Sequence, residues 1–235
     1  MYTMEGRVRF SETGANGKLS VGGLIDYFQD CSTLHSQDVG LGPDSLAAGN
    51  RAWIINSWQV EIFRLPKLGE KISVDTWPYS FRKFIGNRNY VLRDKDNEVC
   101  ARADSIWALY DMAKSFPAVM SQEEIDASDI EPRLDMEERS RKIRVEGDFK
   151  KCDTFTVMRD RLDSNIHLNN GQYVKISSNY LPEDREVSTL RVEYKNSIKL
   201  GDEVCVMVCQ KDDLFYVRFD DQEGNEYSVI EYGLR

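Results

Sequence analysis

Histidine, cysteine and long apolar runs are all scarce in this chain, and each shortage removes a class of function. There are only two histidines, His35 and His167. The five cysteines form no Cys-x-x-Cys pair and no Cys/His cluster, so the pattern predicts neither a zinc site nor a disulfide framework. Cys205 and Cys209 fall on one face of the apolar run Val204–Cys209 and read as buried strand thiols. That run is far shorter than the roughly 20 residues that span a bilayer, so no membrane span is expected. Met1–Phe10 has Glu5 and two arginines among few apolar residues and lacks the apolar core of a secretory signal, which predicts a cytoplasmic chain. Basic residues are outnumbered 31 to 40, and the net charge of −9 argues against nucleic acid or anionic membrane as partner.

Self-similarity is what the sequence does contain. Val60–Val74 aligns without a gap on Val192–Val206, both carrying Val-Glu and then Lys-Leu-Gly followed by an acid. Upstream, Asn16–Gly22 pairs with Asn165–Gly171; downstream, Tyr90-Val91 to Asn97-Glu98 pairs with Tyr216-Val217 to Asn225-Glu226. Three matches in the same order predict a duplication. Each copy opens with a turn and a helix whose apolar residues recur every three to four positions: Leu24, Tyr27, Phe28, Cys31 and Leu34 in the first, Tyr173, Val174, Ile176 and Tyr180 in the second, ended by Pro182. Four strands follow in each: Trp53–Phe63, Lys71–Pro78, Asn87–Arg93 and Val99–Tyr110, then Leu190–Ile198, Asp202–Gln210, Phe215–Asp220 and Tyr227–Tyr232. One long helix and a meander per copy predict an α+β class, with units over residues 1–120 and 149–235 and a charged surface connector over 121–148.

The second histidine lies in Asp163-Ser164-Asn165-Ile166-His167-Leu168-Asn169-Asn170-Gly171. Read as extended backbone, this segment sends Asp163, Asn165, His167 and Asn169 to one side and Ile166 and Leu168 to the packing side. The helix beginning at Asn170 and Gly171 adds backbone N–H groups and the positive end of its dipole, which suit a developing oxyanion. Acyl ester or thioester hydrolysis needs a held water, a base and such a cradle. The plain alternative is a polar turn in which Asp and Asn cap the helix and His167 is a spectator. The first copy has Asn16-Gly17-Lys18 at the equivalent place, without an imidazole.

Asp-x-Asn-x-His-x-Asn-Asn, then a helix and Val-Glu-Tyr, preceded by a degenerate copy, resembles the acyl-ACP thioesterases of plants and bacteria. Gln29-Asp30-Cys31-Ser32, Gly40-Leu41-Gly42 and Trp53-Ile54-Ile55 are similar to the first half of that family. The resemblance implies a double hot dog fold, each sheet wrapped around its helix. It also implies hydrolysis of fatty acyl-ACP to fatty acid and ACP by activated water, terminating chain elongation, without cofactor or metal. Asp163, Asn165 and His167 match the family's catalytic positions, and either Asp163 or His167 serves as proton acceptor. Plant members carry Glu-Cys where Ser197 and Ile198 stand here, so a cysteine nucleophile at that place is excluded and direct water attack is favoured. Glu193, repeated as Glu61, reads as structural, and His35, late on the first helix, as outside the chemistry. Asn169, Asn170, Gly171 and Trp53 are candidate substrate-binding residues, with Trp53 lining part of an acyl pocket in the first copy. Arg159, Arg161 and Lys175 are the candidate docking patch for an acidic carrier protein. The alternatives are an acyl-CoA thioesterase of the same fold, a non-catalytic acyl-binding module, and a hot dog dehydratase. A monomer and a homodimer both fit the duplication.

Overall fold

The computed structural model describes all 235 residues, which form two compact units: Met1–Asn56 with Phe63–Glu138, and Ser57–Ile62 with Arg139–Arg235. Unit 1 contains β1 (Tyr2–Arg7), α1 (Val21–Asp38), α2 (Pro43–Ala48), most of β2 (Arg51–Ile62), β3 (Lys71–Arg82), β4 (Ile85–Asp94), β5 (Val99–Asp111), the two-residue β6 (Phe116–Pro117) and α3 (Gln122–Asp126). Its antiparallel strands run β1-β3-β4-β5. Unit 2 contains β7 (Lys150–Thr156), α4 (Asn170–Ser177), β8 (Val187–Tyr194), β9 (Glu203–Lys211), β10 (Leu214–Asp220) and β11 (Glu226–Leu234), ordered β8-β11-β10-β9-β7. Ser57–Ile62 enters this unit by pairing with β8, Trp58 opposite Val192 and Val60 opposite Leu190.

Each helix lies on its sheet because its apolar stripe matches the apolar alternation of the strands. Leu24, Ile25, Phe28 and Cys31 of α1 are fully buried, and the Phe28 ring sits 5.2 Å from that of Tyr90. Ser20 caps α1, its Oγ accepting from Gly23 N–H at 3.0 Å. In unit 2, Val174 of α4 and the strand residues Leu190, Val192, Val206 and Ile230 are all essentially inaccessible, and Tyr232 Oη donates to the Val174 carbonyl at 3.3 Å. Ser177 and Tyr232 hydroxyls join helix to sheet at 2.5 Å.

Every expected strand has a counterpart, but that expected over Leu190–Ile198 runs from Val187 to Tyr194 and stops short of Ile198, and other differences have physical causes. β3 passes through Pro78 to Arg82 because its pairing with β4 bulges between Pro78 and Ser80, which tolerates the missing N–H. The second helix is not long: it ends at Ser177, a 3-10 turn runs to Tyr180, and Leu181 is extended as a residue before proline must be. β1 and β7 were not expected, since both are polar edge strands held by backbone bonds to β3 and β9.

The connector is more than a solvated surface run. α3 opens it, Met136 and Ile143 are buried, and side chains on the outer sheet faces hold its backbone. Leu134 N–H donates to Asn89 Oδ1 at 2.8 Å, and Trp77 Nε1 donates to the Pro132 carbonyl at 2.9 Å. In unit 2, Ile143 N–H donates to the buried Glu193 at 3.0 Å.

Candidate active site

The segment around His167 is a tight loop and not an extended strand. Asp163 N–H donates to the His167 carbonyl at 2.8 Å, Ile166 N–H donates to the Asp163 carbonyl at 3.0 Å, and Leu162 bridges Leu168. This is a type I turn closed by a left-handed residue, Ile166, with φ 63°. The expected facing is corrected accordingly: Leu168 is buried, whereas Ile166 is 65% exposed, because the left-handed residue reverses the alternation. A β-branched residue in this region is strained by about 1–2 kcal/mol.

Asp163 shapes the loop. Its Oδ1 accepts from Asn165 N–H at 2.9 Å and from His167 N–H at 3.2 Å. Behind the loop, His167 bridges Lys199, and Leu168 N–H donates to the Ile198 carbonyl at 2.9 Å. Ser197 and Ile198 therefore flank the loop, Ile198 buried and Ser197 exposed. The His167 imidazole is half-buried and takes part in no hydrogen bond within the chain, so both ring nitrogens are available; Asn165 is exposed beside it.

Asn169 joins loop to helix. Its N–H donates to the Arg161 carbonyl, and its Oδ1 caps α4 by accepting from Gly171 N–H at 2.8 Å. Gln172 N–H donates to the Asn169 carbonyl. The first turn of α4 thus has Gly171 already satisfied, while the Asn170 carbonyl accepts from Tyr194 Oη at 3.0 Å. Tyr173 stands edge-on to Tyr194 at 5.1 Å, and burial raises the pKa of both phenols, keeping them neutral. Since Tyr194 faces α4, its neighbour Glu193 faces the connector, away from the loop.

The first copy repeats the backbone bonds of this loop, with Gly14 at the place of Asp163 and Asn16 Oδ1 accepting from Lys18 N–H at 3.0 Å. Gly14 N–H donates to the Lys18 carbonyl, Gly17 N–H to that of Gly14, and Leu19 N–H to that of Pro66; Thr13 bridges Leu19, and Lys18 bridges Lys67. Gly17, at φ 69°, occupies the place of Ile166, and Lys18 that of His167. The repeated Lys-Leu-Gly signals the brace behind each loop, a role that a reading of it as a bare turn misses.

The other candidates lie on separate elements. Arg159 and Arg161 share a 3-10 turn, Arg159 exposed and Arg161 with its guanidinium 5.5 Å over the Phe155 ring. Lys175 lies in the last turn of α4. Trp53 packs on Phe81 in unit 1 beside a cluster of Leu46, Leu109 and Met120. His35 is buried in unit 1, and its Nδ1 lies 2.8 Å from Arg88 Nη1. All five cysteines are free thiols, and no helix is long and apolar enough to cross a membrane.

Known proteins share both sequence pattern and fold. Residues 1–127 match the model of the acyl-ACP thioesterase N-terminal domain and residues 146–231 that of the C-terminal domain. The palmitoyl-acyl carrier protein thioesterase of Gossypium hirsutum is 25% identical over 213 residues, which are 83% of this chain and 51% of that protein. The oleoyl-acyl carrier protein thioesterase 1 of Arabidopsis thaliana is 24% identical over 228 residues, 88% of this chain and 60% of that one. The chain thus spans about half the length of the curated plant relatives it matches. Among solved structures, an acyl-ACP thioesterase from Bacteroides thetaiotaomicron superposes with a TM-score of 0.90 at 22% identity, over 99% of this chain and 97% of the other. The 12:0-ACP thioesterase of Umbellularia californica gives 0.88 at 18% identity, over 100% and 96%. The α+β hot dog architecture is that of these structures. With an N-terminal and a C-terminal family domain in the expected order, the chain belongs to the acyl-ACP thioesterase family.

Proposed function

We propose that this chain hydrolyses fatty acyl-ACP to a fatty acid and ACP, with the loop Asp163–His167 as its catalytic segment. The observation that carries the reading is an imidazole with both nitrogens unengaged, fixed by backbone on a braced loop at the entrance to α4, in a chain of this family. His167 takes a proton from a water whose oxygen attacks the thioester carbonyl. The C–S bond breaks as the tetrahedral species collapses, and His167 returns the proton to the departing thiolate. Asn165, exposed beside it, holds the water or the carbonyl, and Asp163 acts by fixing the loop. The positive end of α4, from Asn170 onward, favours the oxyanion. Ser197 and Ile198 supply no thiol, so no acyl-cysteine forms at that place and direct attack by water is favoured. Arg159, Arg161 and Lys175 supply cationic contacts for an acidic carrier whose phosphopantetheine arm reaches His167.

The test is thiol release from matched acyl-ACP and acyl-CoA panels, with His167→Ala alongside. Saturable turnover of acyl-ACP that collapses in the variant supports the reading. Turnover confined to acyl-CoA replaces the carrier, and binding without turnover makes the chain an acyl-binding module.

A further inference from the structure

Unit 1 holds a guanidinium for which the fold provides no counter-ion. Arg88 lies in the middle of β4, opposite Pro78 on β3 and Ser105 on β5. It projects to the α1 side of the sheet, where its Nη1 donates to Nδ1 of the buried His35 at 2.8 Å and to Oγ1 of the buried Thr76 at 3.3 Å. Tyr2 closes over His35, with ring centroids 5.3 Å apart. Both acceptors are neutral: burial, then Arg88 itself, lowers the His35 pKa to about 4, and accepting at Nδ1 leaves the ring proton on Nε2.

Other shielded arginines of this chain are paired with carboxylates. Arg191 meets Glu231 at 3.0 Å, Arg218 meets Asp220 at 2.7 Å, and Arg133 meets Asp104 at 3.2 Å. Arg88 has only its two neutral partners, and desolvation lowers its pKa, as expected of an uncompensated cation. The two hydrogen bonds use both protons of Nη1. What is left is the Nε–H and Nη2–H edge, the fork that grips a carboxylate with two parallel bonds. A chain with 40 acidic residues that leaves this edge open at such a place is built to have it filled from outside.

The surroundings define what the anion is attached to. Two residues along β4 on the same face is Gly86, opposite Trp107. A Cβ there would come within 3.0 Å of Phe81 and 3.1 Å of Trp53, so glycine lets these rings close over the strand. Trp107, Trp53 and Phe81 are only partly buried, and Trp107 Nε1 is held by Ser105 at 2.8 Å. Trp53, Phe81 and Trp107 thus gather at Gly86, on the same face of β4 as Arg88 and two residues from it.

We infer that Arg88, backed by His35 and Thr76, is a carboxylate-binding site in unit 1, and that the carboxylate is carried on an apolar tail lying along Trp53, Phe81 and Trp107. The choice of a fatty acyl tail rests on the thioesterase reading; the anion site itself does not. Two sources share this chemistry: a free fatty acid, and an acyl chain bearing a carboxylate at its far end.

With only two histidines, imidazole NMR on the full chain reads His35 and His167 separately. Sodium octanoate should shift the His35 signals saturably, while methyl octanoate, with the same tail and no charge, should not. Arg88→Gln should weaken octanoate binding at least tenfold. Equal binding of acid and ester, or an unmoved His35 signal, overturns the inference, and that comparison uses the unmodified protein should Arg88→Gln fail to fold. Thioester turnover then separates the sources. Faster cleavage of a carboxylate-ended eight-carbon acyl thioester than of octanoyl thioester assigns the site to chain ends, and octanoate inhibition without that preference assigns it to the free acid. A shifted His35 in a chain that cleaves no thioester leaves the site standing and refutes the thioesterase reading.

Discussion

If Asp163 acts by shaping the loop, its acceptor oxygen matters more than its charge, and Asp163→Asn and Asp163→Ala must behave differently. Oδ1 accepts from Asn165 N–H at 2.9 Å and His167 N–H at 3.2 Å. An asparagine Oδ1 can make both bonds; alanine can make neither. Bonds to a charged acceptor contribute about 1.5–3 kcal/mol each when buried, and the half-exposed setting reduces the pair to about 1–2 kcal/mol in total. For a chain of this size that loss lowers Tm by about 3–6 °C in Asp163→Ala, while Asp163→Asn stays within about 2 °C of the parent. The same 1–2 kcal/mol reduces the population of the competent loop by about five- to thirtyfold at most, so acyl-ACP turnover by the asparagine variant should exceed that of the alanine variant by up to about that factor. Differential scanning calorimetry and thiol release on the three proteins decide it. Coincident melting of the two variants, or an asparagine variant as inactive as alanine, refutes loop shaping and makes the carboxylate charge the essential property.

Three further outcomes are expected. His167→Ala should lower kcat by about 10²–10⁴-fold with Tm almost unmoved, because the side chain makes no hydrogen bond that folding would lose; a large drop in Tm would contradict this. Ile166→Gly should hold or raise stability in urea by up to about 1 kcal/mol, relief of left-handed strain being offset by the extra freedom of glycine in the unfolded chain, and clear destabilisation would show that the exposed side chain packs. The folded-state pKa of His35 is lowered from 6.5 to about 4, chiefly by burial and then by Arg88, so the unfolded chain binds the proton more readily between those values. The stability present above pH 6.5 is therefore lost as pH falls toward 4, by up to about 3 kcal/mol, and His35→Gln should flatten that part of a pH series of urea melts.

The sequence by itself determined the duplication, the helix-and-meander plan and the segment that carries His167. These follow from local patterns: helical spacing of Leu24, Tyr27, Phe28 and Cys31, the unbroken apolar run of the strand Val204–Cys209, and Lys-Leu-Gly repeated at Lys67 and Lys199. Edge strands β1 and β7 were illegible because they bury little and are held by partners distant in sequence. Only the tertiary structure decided how the motif is used. It turned Ile166 outward by closing a left-handed turn, committed one Asp163 oxygen to the loop backbone, and used Asn169 as a helix cap. It sent Glu193 to the connector, passed Ser57–Ile62 to unit 2, and buried His35 against Arg88. Each of these depends on which face a residue takes once distant strands pair, and spacing along one strand carries no information about what the neighbouring strand places opposite.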